Sequence, residues 1–238
     1  MRPSRRQRAA EALAKVAGTE HLYTALEEFS LPVLPAFHGL LSGLPRGQVV
    51  SLDAPGALAL ALLAGASQEG SWSAVVGLPE LGAVAAADLG CDLDRVLLVD
   101  RPADRWADVT AALLEAVDIV LLQPPARPQA GIVRRLTALA RRSGCALITT
   151  GGWDGASVRL RVESSSWLGV QQGHGHLHSR RVKVVAEGRR TGGRPRSAWL
   201  WLPGPDGSVS SAELASVTNM SERQASTTTP VSSTHQVA

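Results

Sequence analysis

The sequence predicts an α/β fold in which a parallel central sheet continues into antiparallel C-terminal strands, with helices flanking it. Three patterns carry that prediction. Between Gln48 and Thr149, short apolar runs alternate with helical stretches, as parallel strands buried on both faces require. After Gly151 the pattern becomes period-two alternation, as in Val158–Val162 (Val-Arg-Leu-Arg-Val), which suits antiparallel strands with one wet face. Residues Gly43 to Gly56, with the apolar run Ala57–Ala66 behind them, read as turn, buried strand, tight Pro-Gly turn and helix. That is the opening of a phosphate-binding βα unit.

The elements follow in order. Ser4 caps a short helix to Val16, with Ala9, Ala12, Leu13 and Val16 at helical spacing and Gly18 as its stop. The narrow apolar face of residues 1–18 suits docking on a neighbouring copy of the chain. Residues 19–47 hold Pro32, Pro35 and Pro45 and form a connection, with a short amphipathic helix over Leu22–Phe29. The core then alternates. Strands are expected over Gln48–Leu52, Trp72–Val76, Val96–Val99, Val117–Leu122 and Cys145–Thr149. Helices are expected over Ala57–Ser67, Glu80–Leu89, Asp104–Ala116 and Gln129–Ser143, the last with Arg134, Arg135, Arg141 and Arg142 outward. Antiparallel strands follow at Val158–Val162, Trp167–Gln171, Arg181–Val185 and Trp199–Leu202. The core domain is 19–205. Residues 206–238 lose apolar content and become Ser/Thr-rich, so disorder is expected there.

Composition bounds the function. The chain has 238 residues, 45% of them hydrophobic and 19% charged, enough for one sizeable domain. No apolar stretch is long and uncharged enough to span a bilayer, and no signal-peptide pattern follows the basic start, so a cytoplasmic protein without membrane partners is expected. Cys91 and Cys145 are too few for a disulfide framework and read as small buried residues. The net charge is only +3, but it is clustered. Arg180, Arg181, Lys183, Arg189, Arg190, Arg194 and Arg196 are interrupted by one acid, Glu187. Such a cluster suits a DNA backbone or an acidic protein partner, and equally a solvated edge kept soluble by charge.

The nucleotide motifs are broken. A phosphate loop needs a glycine-rich turn whose amides wrap the phosphates, a lysine for the terminal phosphates and a hydroxyl for magnesium. Here Asp53, Ala54, Pro55 and Gly56 run directly into Ala57-Leu58, and no lysine lies between Lys15 and Lys183. The strand Val117–Leu122 ends in Gln123, a poor magnesium ligand, where an acid would be needed; Asp118 sits at the strand's start. Ala54, Pro55 and Gly56 therefore mark a degenerate phosphate loop and Gln123 a degenerate magnesium position, and no cofactor is expected. His174, His176 and His178 alternate in a Gly-rich stretch read as an exposed loop rather than a metal site. Trp199 and Trp201 beside Arg194 and Arg196 could stack on bases, but a Trp-Leu-Trp-Leu strand is more often packing. No paired catalytic carboxylates, Ser-His-Asp order or metal-ligand spacing appear, and a non-enzyme is expected.

Several segments resemble the RecA core. Gly43-Leu44-Pro45-Arg46-Gly47 is similar to that family's entry to its phosphate-loop strand. Leu89-Gly90-Cys91-Asp92-Leu93-Asp94 resembles its Leu-Gly-x-Asp-x-Asp segment. Val117–Leu122 resembles its magnesium-site strand, and Ala156–Arg161 and Arg181–Val185 its two late strands. The similarity spans roughly residues 38–205 and implies a RecA-like P-loop NTPase core with a degenerate nucleotide site. The departures fall on the chemistry. Ala54 replaces the loop's first glycine, Gln123 the magnesium aspartate, Glu80 is out of register for the catalytic glutamate, and the span from Thr150 to Ala156 is too short for a recombinase's DNA-binding loop.

A shortened, Arg/Ala-rich RecA-like chain with such a site resembles the ImuA′ family of actinobacterial mutasome accessory proteins. That resemblance implies a role in the DNA-damage (SOS) response, in translesion synthesis and induced mutagenesis. The partner it implies is an ImuB-type inactive Y-family polymerase, which works with an error-prone C-family polymerase. From position alone, Arg180–Ala238 would hold that partner, and the N-terminal helix would support homo-oligomers. The competing readings are a SulA-like division inhibitor and, in the enzyme class, a DNA-dependent RecA-type ATPase.

Overall fold

A computed structural model of the chain describes residues 30–53, 55–171 and 174–212. The two helices expected over Ser4–Val16 and Leu22–Phe29, the position Ala54 and the tail from residue 213 lie outside the described residues.

Two short strands, β1 (Ser30–Leu31) and β2 (Leu44–Pro45), pair antiparallel apart from the main sheet. The chain then runs through β3 (Val49–Leu52), α1 (Ala57–Gln68), β4 (Ser73–Val76), α2 (Ala83–Asp88) and β5 (Val96–Val99). After these come α3 (Trp106–Leu114), β6 (Ile119–Leu122), α4 (Ala130–Ser143) and β7 (Ala146–Thr150). The late strands are β8 (Val158–Gln171), β9 (His174–Gly188), β10 (Arg196–Trp201) and β11 (Ser210–Ser211). Among the described residues these form one nine-stranded sheet in the order β11-β10-β9-β8-β3-β7-β6-β4-β5. Pairing is parallel from β8 through β3 to β5 and antiparallel from β8 outward to β11. The expected change from parallel to antiparallel thus falls at β8, which runs parallel to β3 and antiparallel to β9.

Hydrophobic pattern decides which face each helix covers. β3, β6 and β7 alternate between the two core clusters, so Val50, Leu121 and Ile148 face one way and Val49, Val120 and Leu147 the other. The first face receives α1, α2 and the segment Leu31–Leu41 with Phe37 fully buried. The second receives α3 and α4 through Trp106, Leu114, Val133 and Leu136, with Trp153 wedged beside them. α4 is the amphipathic helix the spacing predicts: Val133, Leu136 and Ala140 are buried, and Gly144 ends it in the left-handed conformation.

α1 is of another kind. Every residue from Leu58 to Ser67 is buried, and the helix has no polar face. A helix apolar all round must be enclosed on all sides. The sheet covers one side, and the segment before β2 covers another. That second contact passes through Gly65. A Cβ there would stand 2.5 Å from the backbone of Val33 and Leu34.

Four expectations are corrected. The helix read over Glu80–Leu89 is only Ala83–Asp88, because Leu78 and Leu81 close a turn and Gly82 is extended before the helix begins. The strands read separately at Val158–Val162 and Trp167–Gln171 are one strand, which passes Glu163 and Gly169 by register shifts. His174–His178, read as a loop, belong to β9, where Gly175 faces Val170 and Ser179 faces Leu168 across the ladder. The tail boundary also moves. Residues 206–212 turn on Asp206, whose carboxylate accepts from the Ser208 backbone N–H at 3.0 Å, and return as β11 against β10 with Ala212 buried.

Both cysteines are free and buried. Burial pushes the Cys91 thiol up to about 11. Burial, then the nearby Asp118 charge, pushes the Cys145 thiol up to about 12. A thiol three units below its pKa is ionised about once in a thousand, so alkylation of the native protein at pH 8 should be far slower than of the unfolded chain, as mass spectrometry of iodoacetamide-treated samples can measure. Replacing Gly65 with leucine should destabilise the fold by about 3 kcal/mol or more, since backbone on both sides cannot yield as a side chain could; denaturant unfolding of G65L beside the parent chain reads this directly.

Candidate functional site

In an open α/β sheet, ligands sit outside the carboxyl ends of the strands where the strand order reverses. Here β3, β7 and β6 end side by side at Asp53, Gly151 and Gln123. The cleft beyond them is about 690 Å³ and is lined by Asp53, Arg127, Thr150, Asp154 and Arg159, among others. Two aspartates face two arginines, so their charges cancel. Arg127 and Asp154 approach to 4.0 Å but are both strongly exposed, a pairing of little energetic value.

A magnesium triphosphate does not fit these residues. Pro55 and Gly56 are exposed, and Gly56, at φ 119°, leads straight into α1. The free N–H groups of that first turn could attract an anion. However, Leu58 and Leu60, the side chains there, are buried in the core and carry no charge. Gln123 stands at the end of β6 with its backbone N–H donating to the Val76 carbonyl oxygen at 2.9 Å, and its neutral amide gives magnesium little. Its Oε1 is buried without a hydrogen-bond partner among the described residues. The same is true of the hydroxyls of Ser51 and Thr149, which are register partners on β3 and β7. Each such group costs about 1–3 kcal/mol.

Glu80 lies on the exposed turn before α2, outside the cleft lining. Asp118, at the amino end of β6, has a structural partner that sequence reading missed. It accepts from Arg46 at 3.0 Å and from the backbone N–H of Trp72 at 3.1 Å, tying together the amino ends of β3, β4 and β6. Arg159 was missed as well. It belongs to a late strand but lies in the cleft because β8 runs parallel beside β3, with Ser51 as its partner.

The seven clustered cations do not form one patch. Lys183 is held at 2.6 Å by Glu163, which also takes Arg161 at 3.2 Å, while Glu187 approaches the same Arg161 nitrogen at 3.6 Å. The Lys183 hydrogen bond, then that of Arg161, holds the Glu163 carboxyl below the usual range. Strand alternation puts Arg159 and Arg181 on that same face of β8 and β9, so four cations stand there against two carboxylates, and Lys183 and Arg161 are the ones these carboxylates hold. Arg181 lies 4.3 Å from the Trp199 ring centre and donates to the Ala212 carbonyl oxygen at 3.3 Å. Arg180 lies 5.6 Å from the ring centre of Trp167, itself half exposed. Trp199 and Trp201 are half-buried, and on Trp199 stacking with arginine and packing share the ring. Arg194, before β10, and Arg196, its first residue, are exposed, and Arg189 and Arg190 turn away to the amino end of the sheet. Of the histidines singled out, His178 is exposed. Among the described residues no three His, Cys, Asp or Glu side chains come together as a metal site, and no helix is long and apolar enough to cross a membrane.

Comparison with known proteins bears on the fold. The family model of the MT3502 N-terminal domain matches residues 39–155. The uncharacterized protein Rv3395c of Mycobacterium tuberculosis (strain ATCC 25618 / H37Rv) is 35% identical over 155 residues, 61% of this chain and 76% of that one. Among solved structures, a KaiC-like protein from the hyperthermophilic archaeon Pyrococcus horikoshii OT3 matches with a TM-score of 0.53 at 15% identity, over 77% of this chain and 98% of its own. The RadB recombinase matches with a TM-score of 0.53 at 17% identity, over 75% of this chain and 97% of its own. The fold is RecA-like.

The unpartnered hydroxyl of Thr149, buried one residue before the cleft-lining Thr150, gives a test of that burial cost. Thr149→Val keeps the shape and removes the orphaned group, so the variant should be more stable by about 1 kcal/mol in thermal unfolding. A clear loss of stability would mean that the hydroxyl has a partner.

Proposed function

We propose, from the premise that the chain belongs to the family of the MT3502 N-terminal domain and its mycobacterial relative, that it is a non-catalytic RecA-like accessory protein of damage-induced translesion synthesis. In this reading it is an ImuA′-type component of a mutasome. It binds an ImuB-type inactive Y-family polymerase, which in turn works with an error-prone C-family polymerase.

One observation carries the reading. The RecA-like sheet is kept complete while every group that would handle a triphosphate is missing or displaced from its cleft. The phosphate loop has collapsed to Asp53–Gly56, a leucine-lined helix replaces its lysine and hydroxyl, and Gln123 replaces the magnesium acid. A fold maintained without its chemistry serves through its surfaces. A solved neighbour of the same fold is named as a recombinase, which is in keeping with surfaces at work in DNA metabolism. The partner-binding region is the antiparallel half with its continuation, Arg180–Ala238. Within it, Arg194 and Arg196 are exposed and open to contact, and the half-exposed ring of Trp167 on β8 lies beside it under Arg180.

The test is co-purification of the full chain with an ImuB-type protein, beside a chain ending at residue 212. Retention of the partner by the full chain, weakened by the truncation, is the expected result, with ATP hydrolysis at background when DNA is added. No retention by either form, together with capture of a tubulin-like division protein, would replace this reading with the SulA-like one. DNA-stimulated hydrolysis well above background would replace it with the ATPase reading.

A further inference from the structure

A second cleft, of about 910 Å³, opens at the opposite edge of the sheet, where the parallel strands begin. Five arginines line it: Arg46, Arg141, Arg142, Arg189 and Arg190. They arrive from three places in the chain. Arg46 stands on the turn before β3, Arg141 and Arg142 on the last turn of α4, and Arg189 and Arg190 on the turn that closes β9. The close approach is fixed by Gly47, where a Cβ would lie 3.3 Å from the Arg141 backbone.

The cleft carries excess charge. No acidic side chain lines it. Arg46 is paired with Asp118 at 3.0 Å and Arg142 with Glu115 at 2.6 Å. Among the described residues, Arg189 reaches only the Gly155 carbonyl oxygen and Arg190 only the Ser30 hydroxyl, each at 3.4 Å. Arg141 meets no carboxylate within ion-pair distance among the described residues. Five cations against two anions leave three. The carboxyl end of α4 offsets roughly half a charge more, which explains part of the Arg141–Arg142 pair but not the convergence of the others.

The lining also indicates what kind of anion fits. Protein partners are gripped by aromatic or aliphatic anchors in desolvated pockets. This cleft offers none, its one large aliphatic residue, Val49, being buried in the sheet. Nor does an aromatic ring line it on which a base could stack. What it presents is planar guanidinium forks, which match phosphate oxygens. We propose that this cleft binds successive phosphates of a nucleic-acid strand, without reading its bases. The site lies at the edge of the sheet away from the vacated nucleotide cleft, and it stands independently of the polymerase partner proposed above.

The experiment is fluorescence anisotropy of a labelled single-stranded oligonucleotide with the full chain across a salt series. Two double variants of equal charge change are compared, Arg141→Glu with Arg189→Glu and Arg194→Glu with Arg196→Glu, each checked for native circular dichroism. The cleft variant should lose about tenfold or more in affinity, two charged hydrogen bonds being at stake. It should also flatten the salt dependence, whose slope falls by about 0.7 for each single-strand phosphate contact removed. The Arg194–Arg196 variant should bind within about twofold of the parent, because neither residue lines the cleft. Equal losses in both variants would reduce the effect to overall charge and overturn the proposal. So would polyglutamate displacing the oligonucleotide as well as an unlabelled strand does, which would assign the cleft to an acidic protein segment. Loss of ImuB-type binding with oligonucleotide binding intact would sink the function proposed above and leave this site standing.

Discussion

The enclosure of α1 is the constraint on which the rest of the molecule depends. An all-apolar helix cannot face water, so the sheet must cover one side and the Leu31–Leu41 segment another. The approach of that segment to Gly65 leaves no room for a side chain. The same enclosure alters the chemistry at the helix start. In a nucleotide-binding fold this end must present polar and charged groups to the carboxyl edge of the sheet. Here its leucines turn into the core. Stability gained by burial and loss of the phosphate site are thus two results of the same residues.

The two edges of the sheet have diverged in charge. At the carboxyl edge, Asp53 and Asp154 balance Arg127 and Arg159, and three buried oxygens go unpartnered. At the amino edge the arginines outnumber the acids near them. Asp118 shows why the second arrangement is tolerable. It neutralises Arg46 while holding three strand ends together, so part of the basic surface is tied into the scaffold and the remainder is free to meet an anion.

Much of the fold was legible in the sequence, because its parallel strands are uninterrupted apolar runs such as Ile119–Leu122 and its amphipathic helix α4 shows strong helical spacing. The switch to alternation at Val158 likewise located the change from parallel to antiparallel pairing. What misled were segments whose outcome is set at a distance. Ser164-Ser165-Ser166 looks like a break between strands, yet it is held in the ladder by Lys183, Val182 and Arg181 across from it. Ser210–Ser211 looks like tail, yet a turn on Asp206 returns it to β10. The candidate sites were less legible still. The basic cluster is continuous in sequence, but Lys183 within β9 enters an ion-pair network while Arg189 and Arg190, on the turn after β9, join Arg46 and Arg141, some 50 to 145 residues away in sequence. Only the fold brings those together.

The β8–β9 ribbon has a mechanical consequence. β8 is joined to β3 over three register pairs, Val158 to Leu160, and beyond Leu168 and Ser179 the described residues of the two strands are paired with nothing but each other. Two strands without a third are marginally stable on their own. The outer ribbon is therefore a cantilever: it can bend or open without breaking the sheet that carries it. A load applied at Trp167 would reach the core through the short β3–β8 seam and the β9–β10 ladder, so bending of this arm need not disturb the parallel half of the sheet.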